Sequence, residues 1–281
     1  PPRSTLFPYT TLFRSTPFFS IIIPNYNNAP FLEKNLTSVL NQTFTDYELI
    51  FIDDCSSDNS VDIVTQIFER YKDIPFKKTL LTPAKKVWNG GSRNLGVASA
   101  QGKYLLFLDS DDWFLHSDIL KHLYNFITSN HYPDLIRLPF KILTNDDQEL
   151  NIMLDDDTPQ KLVDSCFVAC WTKCLKKDKY VPFPENTLME DVVQHIAICD
   201  VITTIAVFPE MVVNYNRKTN NSCSLNPHLQ NRKWESSMYR YYADLFDLVC
   251  QHDYCEAHRQ RRLQDAKNKW ERLYRLWRVC K

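Results

Sequence analysis

The stretch Tyr104-Leu105-Leu106-Phe107-Leu108-Asp109-Ser110-Asp111-Asp112 sets five largely apolar residues directly before three carboxylates. A run this short, followed at once by charge, reads as a strand covered on both faces that delivers its last residues to a sheet edge. The same shape recurs upstream: Phe19–Ile23 precedes Pro24-Asn25-Tyr26-Asn27, Tyr47–Ile52 precedes Asp53-Asp54-Cys55-Ser56-Ser57-Asp58, and Lys77–Leu81 forms a further run. Between them lie amphipathic stretches, Ala29–Gln42, Ser60–Tyr71 and Ser92–Ala100, which read as helices. Strands alternating with helices predict an α/β fold, a mostly parallel central sheet flanked by helices, with function gathered at the carboxyl ends of the strands. Ser57 or Asp58 is the expected cap of the helix after the second strand.

Downstream, Ser117–Asn130 reads as another helix, followed by strands around Leu135–Pro139 and Lys141–Leu143 and an acidic loop, Asp155-Asp156-Asp157. With 281 residues, 44% apolar and 24% charged, the chain can bury a sizeable core and is neither disordered nor a small disulfide-stapled scaffold. Thirty-three basic against thirty-four acidic side chains leave a net charge of -1, so no global field attracts nucleic acid, and no nucleic-acid partner is expected. Gly90, Gly91, Gly96 and Gly102 are the only glycines. They form no Gly-x-Gly-x-x-Gly fingerprint of a dinucleotide site.

The nine cysteines are odd in number and scattered, which predicts a reducing compartment. Cys166, Cys170 and Cys174 recur every four residues as if on one helix face, yet they lack a fourth ligand for a closed zinc site. The seven histidines include no spaced pair bracketing a Glu. Phe18–Pro24 is far shorter than the roughly 20 residues of a membrane span, and no signal-peptide pattern precedes it. A cytoplasmic location is expected. Thr5–Ser15 resembles the in-frame translation of a sequencing adapter, so residues 1–17 are set aside from the fold as a non-native segment.

Asp109, Asp111 and Asp112 at one strand end repel one another. A hard divalent cation, Mn²⁺ or Mg²⁺, relieves that repulsion and keeps positions open for phosphate oxygens. An acidic turn capping the next helix is the structural alternative.

Four segments then carry a resemblance: Phe19–Asn27, Leu36–Phe44, Glu48–Asp58 and Asn89–Asp112. In this order and spacing they resemble the nucleotide-sugar half of the family 2 glycosyltransferases, which have the GT-A fold. The resemblance implies a nucleotide-sugar-binding half over residues 18–115, an acceptor-binding half over 116–225 and a helical C-terminal segment over 226–281. It implies that Pro24 and Tyr26 border the nucleobase and that Asp54 accepts a hydrogen bond from it. Asp53 either touches the donor or braces its neighbours. Arg93 is expected to face the ribose or diphosphate, where a forked cation fits, with Gly90 and Gly91 allowing close backbone approach. Asp111 is expected to hold the ribose and Asp112 the metal, with Asp109 contacting either.

The stretch Trp171-Thr172-Lys173, with Glu190-Asp191 further on, is similar to the family's Trp-x-Lys segment and its later Glu-Asp pair. That likeness implies Asp191 as general base, with Glu190 beside it, in an in-line displacement that inverts the anomeric carbon. A carboxylate is a weak base unless desolvation raises its pKa. The alternative is an acidic pair opening a helix. Arg217, in Asn214-Tyr215-Asn216-Arg217, is similar to a late family arginine that closes over the diphosphate.

Trp234–Lys281 reads as a long basic helix with interleaved aromatics, suited to peripheral contact with the inner face of a membrane or to packing on the core. The resulting expectation is an inverting transferase that moves a sugar from a nucleotide-diphosphate donor, first a UDP-sugar, to a saccharide or lipid-linked hydroxyl. A non-catalytic sugar- or nucleotide-binding protein of the same fold is the alternative. A phosphate-accepting receiver would leave Arg93, Asp109–Asp112 and the Glu-Asp pair without use.

Overall fold

The computed structural model describes residues 16–143, 148–158, 161–162, 169–185, 190–199 and 201–217. Strand β1 (Phe19–Asn25) runs parallel to β2 (Tyr47–Asp53), from Phe19 opposite Tyr47 to Asn25 opposite Asp53. On its other side β1 pairs in parallel with β4 (Tyr104–Phe107), and β3 (Lys78–Leu81) extends the sheet beyond β2. Helices α1 (Ala29–Leu40), α2 (Ser60–Arg70) and α3 (Trp88–Ser99) connect these strands. Every residue of β1, β2 and β4 is buried, which is why their sequences read as near-continuous apolar runs.

Past β4 the simple alternation ends. After the two-residue β5 (Trp113–Phe114), helix α4 (Ile119–Ser129) leads to β6 (Leu135–Arg137). β6 does not lie beside β4, because β9 (Lys173–Lys176) fits between them and runs antiparallel to both. β10 (Ile205–Val207) adds parallel to β6, completing the seven-stranded order β10-β6-β9-β4-β1-β2-β3. β5 belongs to a second sheet, ordered β5-β11-β7-β8, with β7 (Phe140–Leu143), β8 (Glu149–Ile152) and β11 (Val213–Asn216). The sheet is mostly parallel and flanked by helices, as expected, and both expected halves contribute strands to it.

Two long-range contacts explain where elements begin. α3 starts four residues before the expected Ser92, because the Asp54 carboxylate accepts hydrogen bonds from the N–H groups of Val87 (2.7 Å) and Trp88 (2.8 Å). A cap supplied from another strand leaves no local signal. The N-cap position of α2 is Asn59 rather than Ser57 or Asp58, but Asp58, one residue earlier, accepts from Ser60 N–H, and its other oxygen accepts from Ala29 N–H at the start of α1.

α3 lies against the sheet through Gly96, where a Cβ would come within 2.5 Å of Ile22 Cγ2. Cys170 sits in a short 3₁₀ turn and Cys174 in β9, so these two do not share a helix face; Cys166 lies outside the described residues. The C-terminal helix expected over 226–281 also lies outside them. Of the segment 1–17 set aside above, residues 16 and 17 are described, and the Pro17 carbonyl accepts a hydrogen bond from Lys103 N–H. Sheet-edge hydrogen bonding therefore begins inside that segment. Among the described residues no helix is long and apolar enough to cross a membrane.

Candidate active site

The carboxyl ends of β1, β2 and β4 meet along one edge, and backbone strain gathers there. Asn27 (φ 52), Cys55 (φ 61) and Trp88 (φ 64) hold left-handed conformations, which non-glycine residues adopt at a cost. Asp53 accepts from Asn25 Nδ2 (2.9 Å), Ser56 Oγ (2.6 Å) and Ser56 N–H (3.0 Å), so it braces the loops after β1 and β2. Asp54 is also buried and holds the start of α3 with both oxygens. Each of those oxygens keeps a second lone pair for a ligand donor. Pro24 is buried inside β1 opposite Ile52. Tyr26, two residues on, is 42% exposed, with the Lys86 ammonium 2.8 Å from its ring centroid and 5.1 Å from that of Trp88. An aromatic surface with a cation on it thus borders Asp54.

Arg93 departs from its expected place. Its side chain is buried, and its guanidinium donates to Asp109 (2.8 Å) and to Glu190 (2.5 Å), joining the end of β4 to the start of α5 (Glu190–Cys199). The fork faces two protein carboxylates and fixes them. Gly90 likewise serves packing: a Cβ there would strike the Pro184 carbonyl oxygen and lie 3.3 Å from Phe183 Cβ. Asn94 holds the same segment through Phe183 N–H and C=O, both at 2.9 Å.

Asp109–Asp112 forms a turn pinned by Asn35 of α1, whose amide donates to the carbonyls of Asp109 (3.0 Å) and Asp112 (2.7 Å). Asp112 is fully buried. Its Oδ1 accepts from Asn216 N–H of β11 (2.8 Å), while Oδ2 has no hydrogen-bond partner among the described residues. Burial, and then the charges of Asp111 and Asp109, push its carboxyl well above the usual range. A buried orphan oxygen beside two partly exposed carboxylates fits a hard divalent cation, which would satisfy the orphan and offset the repulsion. Arg217 is exposed just beyond Asn216, with its N–H bound to the Leu143 carbonyl.

Asp191 lies in the first turn of α5 and is partly buried. Desolvation, then the charge of Glu190, raises its carboxyl to about 6, opposed by the cations Lys173 and Arg93. Glu190 turns instead to Arg93. Lys173 closes the Trp-x-Lys stretch. It is a buried lysine on β9 whose ammonium donates to the Ala169 carbonyl, and burial followed by repulsion from Arg137 lowers its pKa. Beneath it, Arg137 pairs with Asp156 of the acidic loop (2.8 Å) and donates to Thr172 Oγ1 (2.8 Å). No local signal joined Asp156, Arg137 and Thr172, because the three are distant in sequence.

The fold and this edge define a GT-A-type protein. The chain is similar to residues 1–349 of Staphylococcus aureus TarS solved in complex with UDP-GlcNAc, with a TM-score of 0.70 and 22% identity over 89% of this chain and 72% of that one. It is 41% identical over 115 residues to an uncharacterized glycosyltransferase of Haemophilus influenzae, covering 41% of this chain and 44% of that protein. It is also 42% identical over 121 residues to the S. aureus poly(ribitol-phosphate) beta-N-acetylglucosaminyltransferase TarP, covering 42% of this chain and 35% of that protein. The chain therefore spans less than half the length of these two relatives. Residues 20–158, just under half of the chain, match the model of Glycosyl transferase family 2, and that segment belongs to the family.

Proposed function

We propose that the protein transfers a sugar from a nucleotide-diphosphate donor, a UDP-sugar in the first instance, to a hydroxyl of a saccharide or lipid-linked acceptor, with inversion. One observation carries the reading: the Asp109–Asp112 turn and Asp191 sit on either side of a single bridge, Asp109–Arg93–Glu190. The TarS complex with UDP-GlcNAc and the activity named for TarP support a nucleotide-sugar donor.

In this reading Tyr26 and Asp54 receive the nucleobase, and Asp112, Asp111 and Asp109 hold a Mn²⁺ or Mg²⁺ ion. Bound there, the ion supplies positive charge for the departing diphosphate. Arg217, exposed just past the strand that anchors Asp112, is free of burial cost and can swing over the same phosphates. Asp191, raised toward neutrality, accepts the acceptor hydroxyl's proton as that oxygen attacks the anomeric carbon. Arg93 binds neither partner in this scheme; it keeps Glu190 turned away, so that Asp191 alone faces the acceptor.

A panel of nucleotide sugars tests the proposal, read by metal-dependent hydrolysis and by thermal stabilisation. A UDP-sugar should stabilise the chain only with Mn²⁺ or Mg²⁺, and Asp112→Ala should weaken that response more than Asp109→Ala. Equal donor affinity in excess chelator would remove the metal from the scheme. Stabilisation without hydrolysis or transfer to any acceptor would favour the binding-protein reading.

A further inference from the structure

Away from the sheet edge, three side chains from separate segments converge on the surface: His116 after β5, His122 on α4 and Glu210 in the turn between β10 and β11. His122 Nδ1 lies 2.9 Å from Glu210 Oε2, and His116 Nε2 lies 3.9 Å from the same oxygen. All three donor atoms fall within 4.8 Å of one another. Two imidazoles and a carboxylate form a common three-ligand set for zinc, with the fourth position left to water. Zinc–ligand bonds of roughly 2.0–2.2 Å put tetrahedral donors about 3.3 Å apart, and the observed separations straddle that value.

The backbone under each donor is fixed independently. Gln42 Nε2 donates to the His116 carbonyl (2.8 Å), and Thr43 N–H to the Ser117 carbonyl (2.8 Å). His122 belongs to the first turns of α4. The Glu210 turn is held on both sides, by Phe208 N–H on the Arg137 carbonyl and by Val212 N–H on the Pro139 carbonyl. Leu115 N–H closes the assembly onto the Val212 carbonyl (3.0 Å). Small side-chain rotations therefore suffice to bring the donors to a common point. Each side chain is between 41% and 44% exposed, so an ion can reach them.

We propose that His116, His122 and Glu210 form a zinc site, separate from the Asp109–Asp112 turn, that ties α4 to the β10–β11 turn. The donor chemistry separates the two sites: imidazole suits zinc, cobalt and nickel, whereas an all-carboxylate set suits magnesium and manganese. Binding through His116 Nε2 places that ring's proton on Nδ1. The 3.3 Å hydrogen bond from Asp118 N–H to Nδ1 then gives way, at small cost because it is long.

The test uses the full chain, stripped with chelator and titrated with zinc alone, by calorimetry and thermal denaturation. One high-affinity equivalent should bind and raise the melting temperature by several degrees. That response should vanish in the double variant His116→Ala/His122→Ala, weaken in Glu210→Gln and survive in Asp112→Asn. Substituted Co²⁺ should give the strong visible absorption of a tetrahedral site without a thiolate charge-transfer band. No zinc binding by the parent chain, or binding unchanged in the double variant or in Glu210→Gln, would overturn the proposal and leave the cluster as a histidine–carboxylate ion pair. Far-ultraviolet circular dichroism checks that each variant is folded.

Discussion

Arg93 of α3 and Glu190 of α5, 97 positions apart in the chain, form an ion pair whose side chains are 4% and 8% exposed. Asp109 shares the same guanidinium. Arg93→Met leaves two carboxylates facing each other without a counter-charge, and breaking a buried pair in this way costs about 3–5 kcal/mol. Urea unfolding should show that loss. Arg93→Lys should recover only part of it, because one ammonium cannot reach two carboxylates as a planar fork does. A loss below about 1 kcal/mol in Arg93→Met, the scale of an exposed pair, would mean that solvent reaches the bridge.

With Asp191 as the proposed base, its carboxyl, raised to about 6, should set the pH dependence of turnover. A general base works deprotonated, so kcat/KM should climb as pH rises through about 6 and level off above it. Asp191→Asn should lower kcat by roughly 10²–10⁴ with donor affinity nearly intact. For stability the sign reverses: a carboxyl raised in the folded state favours unfolding once ionised, so this group's contribution weakens as pH climbs from the ordinary carboxylate range to about 6. Asp191→Asn should therefore not lower the melting temperature at neutral pH. A silent Asp191→Asn beside an inactive Glu190→Gln would exchange the two roles.

Lys173 holds the Asp191 pKa down through its positive charge. Lys173→Met removes that charge, so the acid limb of the pH–rate profile should move to higher pH. A purely structural lysine would lower activity equally at every pH instead.

Deleting residues 1–15 should leave the melting temperature unchanged. Extending the deletion through Pro17 removes the acceptor for Lys103 N–H. A hydrogen bond of this kind contributes about 1 kcal/mol, a shift of roughly 2–4 °C for a chain of this size. A drop caused by the shorter deletion would show that the adapter-like segment supports the fold.

Strands β1, β2 and β4 were legible because each is an apolar run ending in its own polar cluster, as with Phe19–Ile23 before Asn25 and Tyr104–Leu108 before Asp109, whereas β10 carried no such signal. Helix α1 was legible from its spacing of Leu32, Leu36, Val39 and Leu40. The start of α3 was not, since its cap is Asp54. Nor was the place of β9: Lys173-Cys174-Leu175-Lys176 has no long apolar run, and its slot between β4 and β6 is a matter of topology. The residues of the candidate site were nameable through the family resemblance, but their partners were not. Nothing local says that Arg93 turns inward to Asp109 and Glu190, or that His116 and His122 meet Glu210, 88 positions beyond His122.

The slot occupied by β9 also bears on how the chain reaches its fold. β4 pairs with β1 on one side, but its other edge stays bare until Cys174, Leu175 and Lys176 arrive beside Leu106, Leu105 and Tyr104. During synthesis an apolar, wholly buried strand therefore waits for some seventy further residues before its second neighbour exists. Such an edge is a template for pairing with other chains. Late closure by a distant antiparallel strand also raises contact order and slows folding. Fragments ending before residue 173 are thus expected to aggregate even though they carry the ends of β1, β2 and β4.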